Sequence, residues 1–268
     1  MNKDFSASAL RYRPQKFQEV IGQDAIVKTL LNAIKNDSLA QALLFCGPRG
    51  VGKTTCARIL AKEINKVEAD YDYNIFELDA ANNAGVEDIR TLIDQFRIPP
   101  QIGRYKVYII DEVHMLSKQA FNAFLKSLEE PPNHVIFILA TTEKNKIIPT
   151  ILSRCQIFEF KKIDQIQIEQ SLRKICKENK IDFEDEALNL IASKSDGAMR
   201  DALVMFDRLV TFTNGKLSLN EVSVNLNTLD LDTYFNFSDL ISSSSIPDIL
   251  SKYCLLYTSP SPRDATLS

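Results

Sequence analysis

The stretch Gly47-Pro48-Arg49-Gly50-Val51-Gly52-Lys53-Thr54 reads G-x-x-x-x-G-K-T, and it constrains its surroundings more than any other segment of the chain. Glycines at Gly47, Gly50 and Gly52 let the backbone curl closely around an anion, where side chains would block the approach and forbid some of the dihedrals. Such a P-loop needs a buried strand before it and a helix after it, so that backbone N–H groups and the helix N-terminus converge on phosphate oxygens. Both flanks are legible. Ala42-Leu43-Leu44-Phe45-Cys46 is a short apolar run suited to a buried strand, and Thr55 to Asn65 carries Ala57, Ile59, Leu60 and Ile64 at helical spacing. Lys53 is then expected to reach the β- and γ-phosphates of a nucleotide, and Thr54 to ligate Mg²⁺ through its hydroxyl. The backbone from Gly47 to Thr55, including Pro48, Arg49 and Val51, is expected to form the cradle.

A second constraint lies downstream, where Lys106-Val107-Tyr108-Ile109-Ile110 ends on Asp111 and Glu112. A continuous apolar run of this length suits a strand covered on both faces of a parallel sheet, whose carboxyl edge carries the ligand chemistry. Asp111 is expected to orient the Mg²⁺ shell, and Glu112 to polarise or position the attacking water. His114 completes a D-E-x-H string, for which packing or support of the acids is the expected role. Val135 to Ala140 predicts another buried strand that delivers Thr141-Thr142 to the same edge. The Thr142 hydroxyl there either senses the γ-phosphate or serves only as a structural cap.

Helices are expected over Asp24 to Asn36, from Val86 to Phe96 with a stop at Pro99-Pro100, and after Ser117, which can cap a helix that Pro131-Pro132 ends. Beyond Phe160 strand-like runs stop and helical ones take over: Ile166 to Glu178, Asp185 to Lys194, Ala198 to Phe212, Leu217 to Leu226, and Leu231 to Leu250 around a serine run. Ser195-Asp196-Gly197 offers caps for the third of these, with Arg200 in its first turn, pointing either at a phosphate or into a salt bridge with Asp201 or Asp207. Arg154, in Leu152-Ser153-Arg154-Cys155, is either a solvated charge or an arginine finger for a neighbouring subunit.

Thirty-two basic residues stand against 35 acidic ones, so no global field draws the 268-residue chain to nucleic acid, and any DNA contact must be local or shared with partners. The five cysteines form no C-x-x-C pair, which argues against a disulfide framework or a cysteine-rich zinc site. No apolar run approaches the ~20 residues that span a bilayer, and Met1 to Leu10 lacks a basic segment followed by an apolar core, so a cytoplasmic protein is expected.

Together these motifs resemble the AAA+ ATPase module of the bacterial DNA polymerase III gamma/tau family. The resemblance is carried by Arg11-Tyr12-Arg13-Pro14, the P-loop, Glu77-Leu78-Asp79-Ala80-Ala81, Asp111-Glu112-Val113-His114-Met115-Leu116 and Leu128-Glu129-Glu130-Pro131-Pro132. Leu139-Ala140-Thr141-Thr142, Ser153-Arg154-Cys155 and Gly197-Ala198-Met199-Arg200-Asp201-Ala202-Leu203 follow in the family's order. It runs from about Ser8 to about Tyr253. The resemblance implies an α/β fold: a P-loop NTPase core with a parallel sheet flanked by helices over 1–162, a small helical lid over 163–227, and the start of a collar over 228–253. It further implies that Arg154 acts in trans as the finger, Thr142 as sensor one and Arg200 as sensor two. Arg11, Tyr12 and Arg13 lie beside the adenine, and Val20 and Ile21 line the base pocket.

The implied activity is ATP hydrolysis with Mg²⁺, driving the loading of a sliding clamp onto primer-template DNA as part of a DNA-directed DNA polymerase holoenzyme. The implied partners are other clamp-loader subunits in a hetero-oligomeric ring, the clamp, the DNA, and the polymerase core through a C-terminal region, with no membrane. A branch-migration helicase and a non-hydrolysing scaffold subunit are the competing readings. Two departures stand out. Many relatives carry a four-cysteine zinc module where Lys66 to Asn74 has no cysteine, so zinc is not expected. Residues 254–268, beginning Cys254-Leu255-Leu256-Tyr257-Thr258-Ser259-Pro260, resemble a translated sequencing adapter and are not expected to belong to the fold.

Overall fold

The computed structural model describes residues 8–65, 74–82, 86–101 and 103–226. The expected zinc-free loop from residue 66, the collar region, the helix over Leu231 to Leu250 and the adapter-like segment fall outside these, save for Asn74.

Every residue of β1 (Ala42–Cys46) is buried, as a strand covered on both faces requires. Alternation sorts its side chains: Leu43 and Phe45 pack into one apolar layer, Ala42, Leu44 and Cys46 into the other. β3 (Lys106–Asp111) and β4 (Val135–Thr141) divide in the same way, with Val107, Ile109, Ile136 and Ile138 on the first side and Tyr108, Ile110, Phe137 and Leu139 on the second. With β2 (Ile75–Asp79) and β5 (Gln156–Glu159) at the edges, they form a five-stranded parallel sheet in the order β2-β3-β4-β1-β5. α2 (Asp24–Lys35) and α3 (Lys53–Asn65) cover the first side. α4 (Val86–Phe96), α5 (Lys118–Glu129) and the short α6 (Pro149–Leu152) cover the second.

The expected caps and stops explain these helices. Ser117 Oγ accepts the Ala120 amide at 3.2 Å and starts α5, and Pro131-Pro132 follow its end. Under α4 and α5 the aromatic rings of Phe96, Tyr108, Phe124 and Phe137 meet edge to face, with Phe96–Phe137 centroids 4.8 Å apart and Phe124–Phe137 5.1 Å apart.

A second apolar cluster gathers Ile168 and Leu172 from α7 (Gln165–Asn179), Leu188 and Ile191 from α8 (Asp185–Lys194), Phe206 and Leu209 from α9 (Met199–Phe212), and Val222 from α10 (Leu219–Asn225). The N-terminal α1 (Ser8–Arg11) belongs to this body too. The Ser8 amide donates to Asp207 Oδ2 at 2.7 Å, and Ala9 and Tyr12 pack on the cluster.

Two expectations are corrected here. Strand pairing does not end at Phe160: β6 (Asp182–Phe183) and β7 (Lys216–Leu217) form a parallel two-residue ladder, too short for a period of two to register in the sequence. Ser195 does not cap α9. It closes α8, its hydroxyl donating back to the Ala192 carbonyl at 2.7 Å, and Ala198 precedes α9 without a side-chain cap.

The P-loop and the chain leaving β5 are bonded to the helical body and to the start of α2. The Ile163 amide donates to the Gly197 carbonyl at 3.0 Å, and the Arg200 amide to the Gly50 carbonyl at 3.4 Å. Gln23, only 3% exposed, donates through Nε2 to the Lys161 carbonyl at 2.8 Å and accepts the Lys161 amide at 3.3 Å. Because Phe124 is wholly buried among aromatic rings, Phe124→Ala is expected to lower stability by about 3–5 kcal/mol, read as a shift in the denaturant midpoint with nucleotide absent.

Candidate active site at the carboxyl edge of the sheet

Parallel pairing brings the chemistry-bearing residues to one edge. Cys46 stands opposite Thr141, and the Gly47 amide donates to the Thr141 carbonyl at 3.2 Å, so the P-loop leaves β1 beside the end of β4. β3 ends there as well, on Asp111.

The three P-loop glycines all have positive φ: 147° at Gly47, 77° at Gly50 and 101° at Gly52. A Cβ on Gly47 would fall 2.4 Å from the Phe160 carbonyl oxygen and one on Gly50 would fall 3.0 Å from the Ala198 Cβ, whereas one on Gly52 would meet nothing within 4 Å. Gly47 and Gly50 are therefore set by close packing against the β5 exit and the helical body, and Gly52 by backbone conformation alone.

Lys53 is 6% exposed and donates to the carbonyl oxygens of Gly47 and Pro48, each at 2.8 Å. Burial pushes its ammonium below the usual lysine range, and Glu112 and Asp111 pull it back. Thr54 Oγ1 donates to Asp111 Oδ2 at 2.7 Å, and Asp111 Oδ1 accepts the Glu112 amide at 2.9 Å.

Glu112 itself sits in the left-handed region at φ 47°, ψ 43°, a conformation that costs a non-glycine residue of order 1–3 kcal/mol. Its Oε2 accepts the Thr142 hydroxyl at 3.0 Å and the Thr142 amide at 3.3 Å. Thr142, a cap or a sensor on sequence grounds, is thus bonded directly to the second carboxylate. His114 is not a mere packing residue: Nδ1 lies 3.0 Å from Thr141 Oγ1, and both ring nitrogens face carboxylates.

The N-terminal residues separate. Arg13 Nε donates to Thr55 Oγ1 at 3.1 Å, reaching the first turn of α3. Burial lowers the Arg13 pKa, with Arg58 and Arg200 pressing in the same direction and Glu77 and Asp111 against it. Arg11 lies over the Tyr12 ring, 5.4 Å from its centroid, and the Tyr12 hydroxyl accepts from Asn179 Nδ2 in α7. Val20 packs with the α2–α3 layer, and Ile21 with the helical body. Pro48 and Arg49 are exposed, and Val51 is buried with its carbonyl facing Gln23 Nε2 at 3.5 Å.

Arg200 joins the P-loop through its backbone amide, and among the described residues no ion pair joins it to Asp201 or Asp207. Arg154 stands apart. It pairs with Glu129 at 2.8 Å and donates to the Thr150 carbonyl at 2.8 Å, neither of them a P-loop residue. Gln23 and Glu143 were not singled out in the sequence. A polar residue just before an amphipathic helix reads as a helix start, and nothing in the spacing reveals that its amide is buried.

The residues fit a Mg²⁺-bound nucleoside triphosphate. A buried ammonium bonded to carbonyl oxygens, with no ion pair of its own among the described residues, is an acceptable arrangement beside a polyanion. A threonine hydroxyl joined to a carboxylate is a hard-oxygen pair of the kind Mg²⁺ selects.

Residues 64–164 match the family described as "DNA polymerase III, delta subunit", and residues 167–215 match "DNA polymerase III clamp loader subunit, ATPase lid domain". The chain is 46% identical over 227 residues to DNA polymerase III subunit tau of Bacillus subtilis, covering 78% of this chain and 40% of that protein. To subunit tau of Escherichia coli it is 42% identical over 245 residues, covering 85% and 38%. The chain thus spans about two fifths of the length of these relatives. Among solved structures, the Thermotoga maritima RuvB Holliday junction branch migration motor superposes with a TM-score of 0.65 at 22% identity, over 86% of this chain and 79% of that one, a likeness of fold. With the polymerase III matches extending through both the sheet and the helical body, the chain belongs to the DNA polymerase III gamma/tau family.

Proposed function

We propose that this chain is the ATP-hydrolysing motor of a clamp loader, acting with other loader subunits to place a sliding clamp on primer-template DNA during replication. The observation that supports the reading is the 2.7 Å bond from Thr54 to Asp111 beside the buried Lys53, side chains suited to a metal and a phosphate at one sheet edge. Polymerisation in this reading belongs to the assembled holoenzyme, and the chain itself contributes ATP hydrolysis.

Bound MgATP supplies an electrophilic γ-phosphorus whose developing charge is partly neutralised by the metal. Lys53 exchanges its carbonyl partners for β- and γ-phosphate oxygens, and the backbone of Gly47 to Thr55 with Pro48, Arg49 and Val51 forms the cradle. Thr54 and Asp111 hold the metal. Glu112 orients the attacking water, and Thr142, bonded to that same carboxylate, couples the state of the phosphate to it. Arg200 acts from the lid, and Arg13 adds charge beside Thr55. Arg11, Tyr12, Val20 and Ile21 flank the base. Arg154 serves the site of the neighbouring subunit, a role supported by its lying on its own chain against Glu129 and away from its own P-loop.

In this reading the ATPase core occupies 1–162, the lid 163–227 and the collar begins at 228. A branch-migration motor is the weaker alternative, because the RuvB likeness is one of fold at 22% identity, whereas the polymerase III relatives reach 46%.

Lys53→Ala should weaken ATP binding roughly 100-fold, the loss of charge-assisted contacts of about 3 kcal/mol, measured by titration with a fluorescent ATP analogue. Unchanged affinity would remove the P-loop assignment. Arg154→Ala should leave nucleotide affinity intact yet reduce clamp- and DNA-stimulated hydrolysis by ~10³-fold in the assembled complex, and full stimulated turnover in that variant would refute the trans role.

A further inference from the structure

His114 follows Asp111, the last residue of β3, and Glu112, and takes no part in the phosphate chemistry described above. Its side chain is 5% exposed. Nδ1 lies 3.0 Å from Thr141 Oγ1 and 3.4 Å from Glu112 Oε2, while Nε2 lies 3.3 Å from Glu143 Oε1. Thr141 Oγ1 already accepts the Glu143 amide at 3.0 Å, which leaves the hydroxyl hydrogen available to the ring. Glu143 in turn pairs with Lys146 at 2.8 Å.

An imidazole with one N–H can give that hydrogen to only one of these neighbours. With the hydrogen on Nε2, the ring serves Glu143 and accepts from Thr141. With the hydrogen on Nδ1, it is directed at Glu112 and Thr141. Only the second arrangement joins the Glu112 carboxylate to the end of β4; the first joins Thr141 to Glu143. Glu112 Oε2 is consequently approached from two sides, by the Thr142 hydroxyl and amide on one and by His114 Nδ1 on the other. An apolar side chain would fill the same space without touching a carboxylate, so packing alone does not account for the ring's partners.

We propose that His114 is a positioning residue for Glu112: with its hydrogen on Nδ1, the ring sets the orientation of that carboxylate from beside Thr141. The proposal rests on the reading of Glu112 as the group that orients the attacking water.

Three substitutions separate the two edges of the ring. His114→Asn carries an amide nitrogen near the place of Nδ1, His114→Gln carries one near the place of Nε2, and His114→Leu retains only bulk. Steady-state ATP hydrolysis by the full chain with its partner subunits should give an unchanged KM in all three. The kcat of His114→Leu should fall about 10- to 100-fold, the scale of a small misplacement of a reacting group. His114→Asn should recover most of the loss and His114→Gln little of it. Thermal unfolding of each variant provides the control. Equal kcat for the Asn and Gln variants, or losses that follow the unfolding temperature, would overturn the positioning role while leaving the ATPase reading intact. An unaltered protein that binds the ATP analogue but does not hydrolyse ATP would overturn both.

Discussion

The pairing of β1 with β4 is the interaction on which the rest depends. Both strands are buried at every residue, so their backbone N–H and C=O groups have no water to turn to and must satisfy one another. A slip of one residue would drive Leu44 and Phe45 into the wrong layers. The register that avoids this sets Cys46 against Thr141, and that single correspondence puts the P-loop, Thr141 and Thr142 at the same height above the sheet. β3 pairs with β4 in turn, Ile110 against Leu139, and brings Asp111 within reach of Thr54. The site is a consequence of where apolar strands can end.

What stands at that edge is held under tension of two kinds. Lys53 is a buried cation with carbonyl partners, and Glu112 is a non-glycine residue in left-handed backbone. Both are unfavourable on their own and are maintained by surroundings that leave no alternative. The helical body bears on the same loop. Gly50 is pressed against Ala198 and bonded to the Arg200 amide, while Gln23 ties the connecting strand at Lys161 to the region of Val51. The P-loop and the helical body therefore share contacts at Gly50.

Much of this is legible in the sequence, because the signals are local. The buried runs at Ala42 to Cys46, Lys106 to Ile110 and Val135 to Ala140, the glycine spacing, and the acids that end β3 all declare themselves within a window of a few residues. Ser117 declared its cap in the same way. Ser195 misled because a Ser-Asp-Gly string suits the end of one helix as well as the start of the next. The β6–β7 ladder escaped because its two short strands lie more than thirty residues apart and carry no alternation.

The sequence by itself determined the order of the elements, the sheet's apolar faces and the position of the glycine-rich loop, since hydrophobic period and backbone freedom are properties of consecutive residues. Only the tertiary structure decided which polar atoms meet. Gln23 finds Lys161 across 138 positions, Arg13 finds Thr55 across 42, Glu112 finds Thr142 across 30, and His114 finds Thr141 across 27. No local pattern encodes those distances. They follow from a sheet whose strand order differs from its chain order, which places distant residues side by side and leaves each buried donor to take the acceptor it meets there.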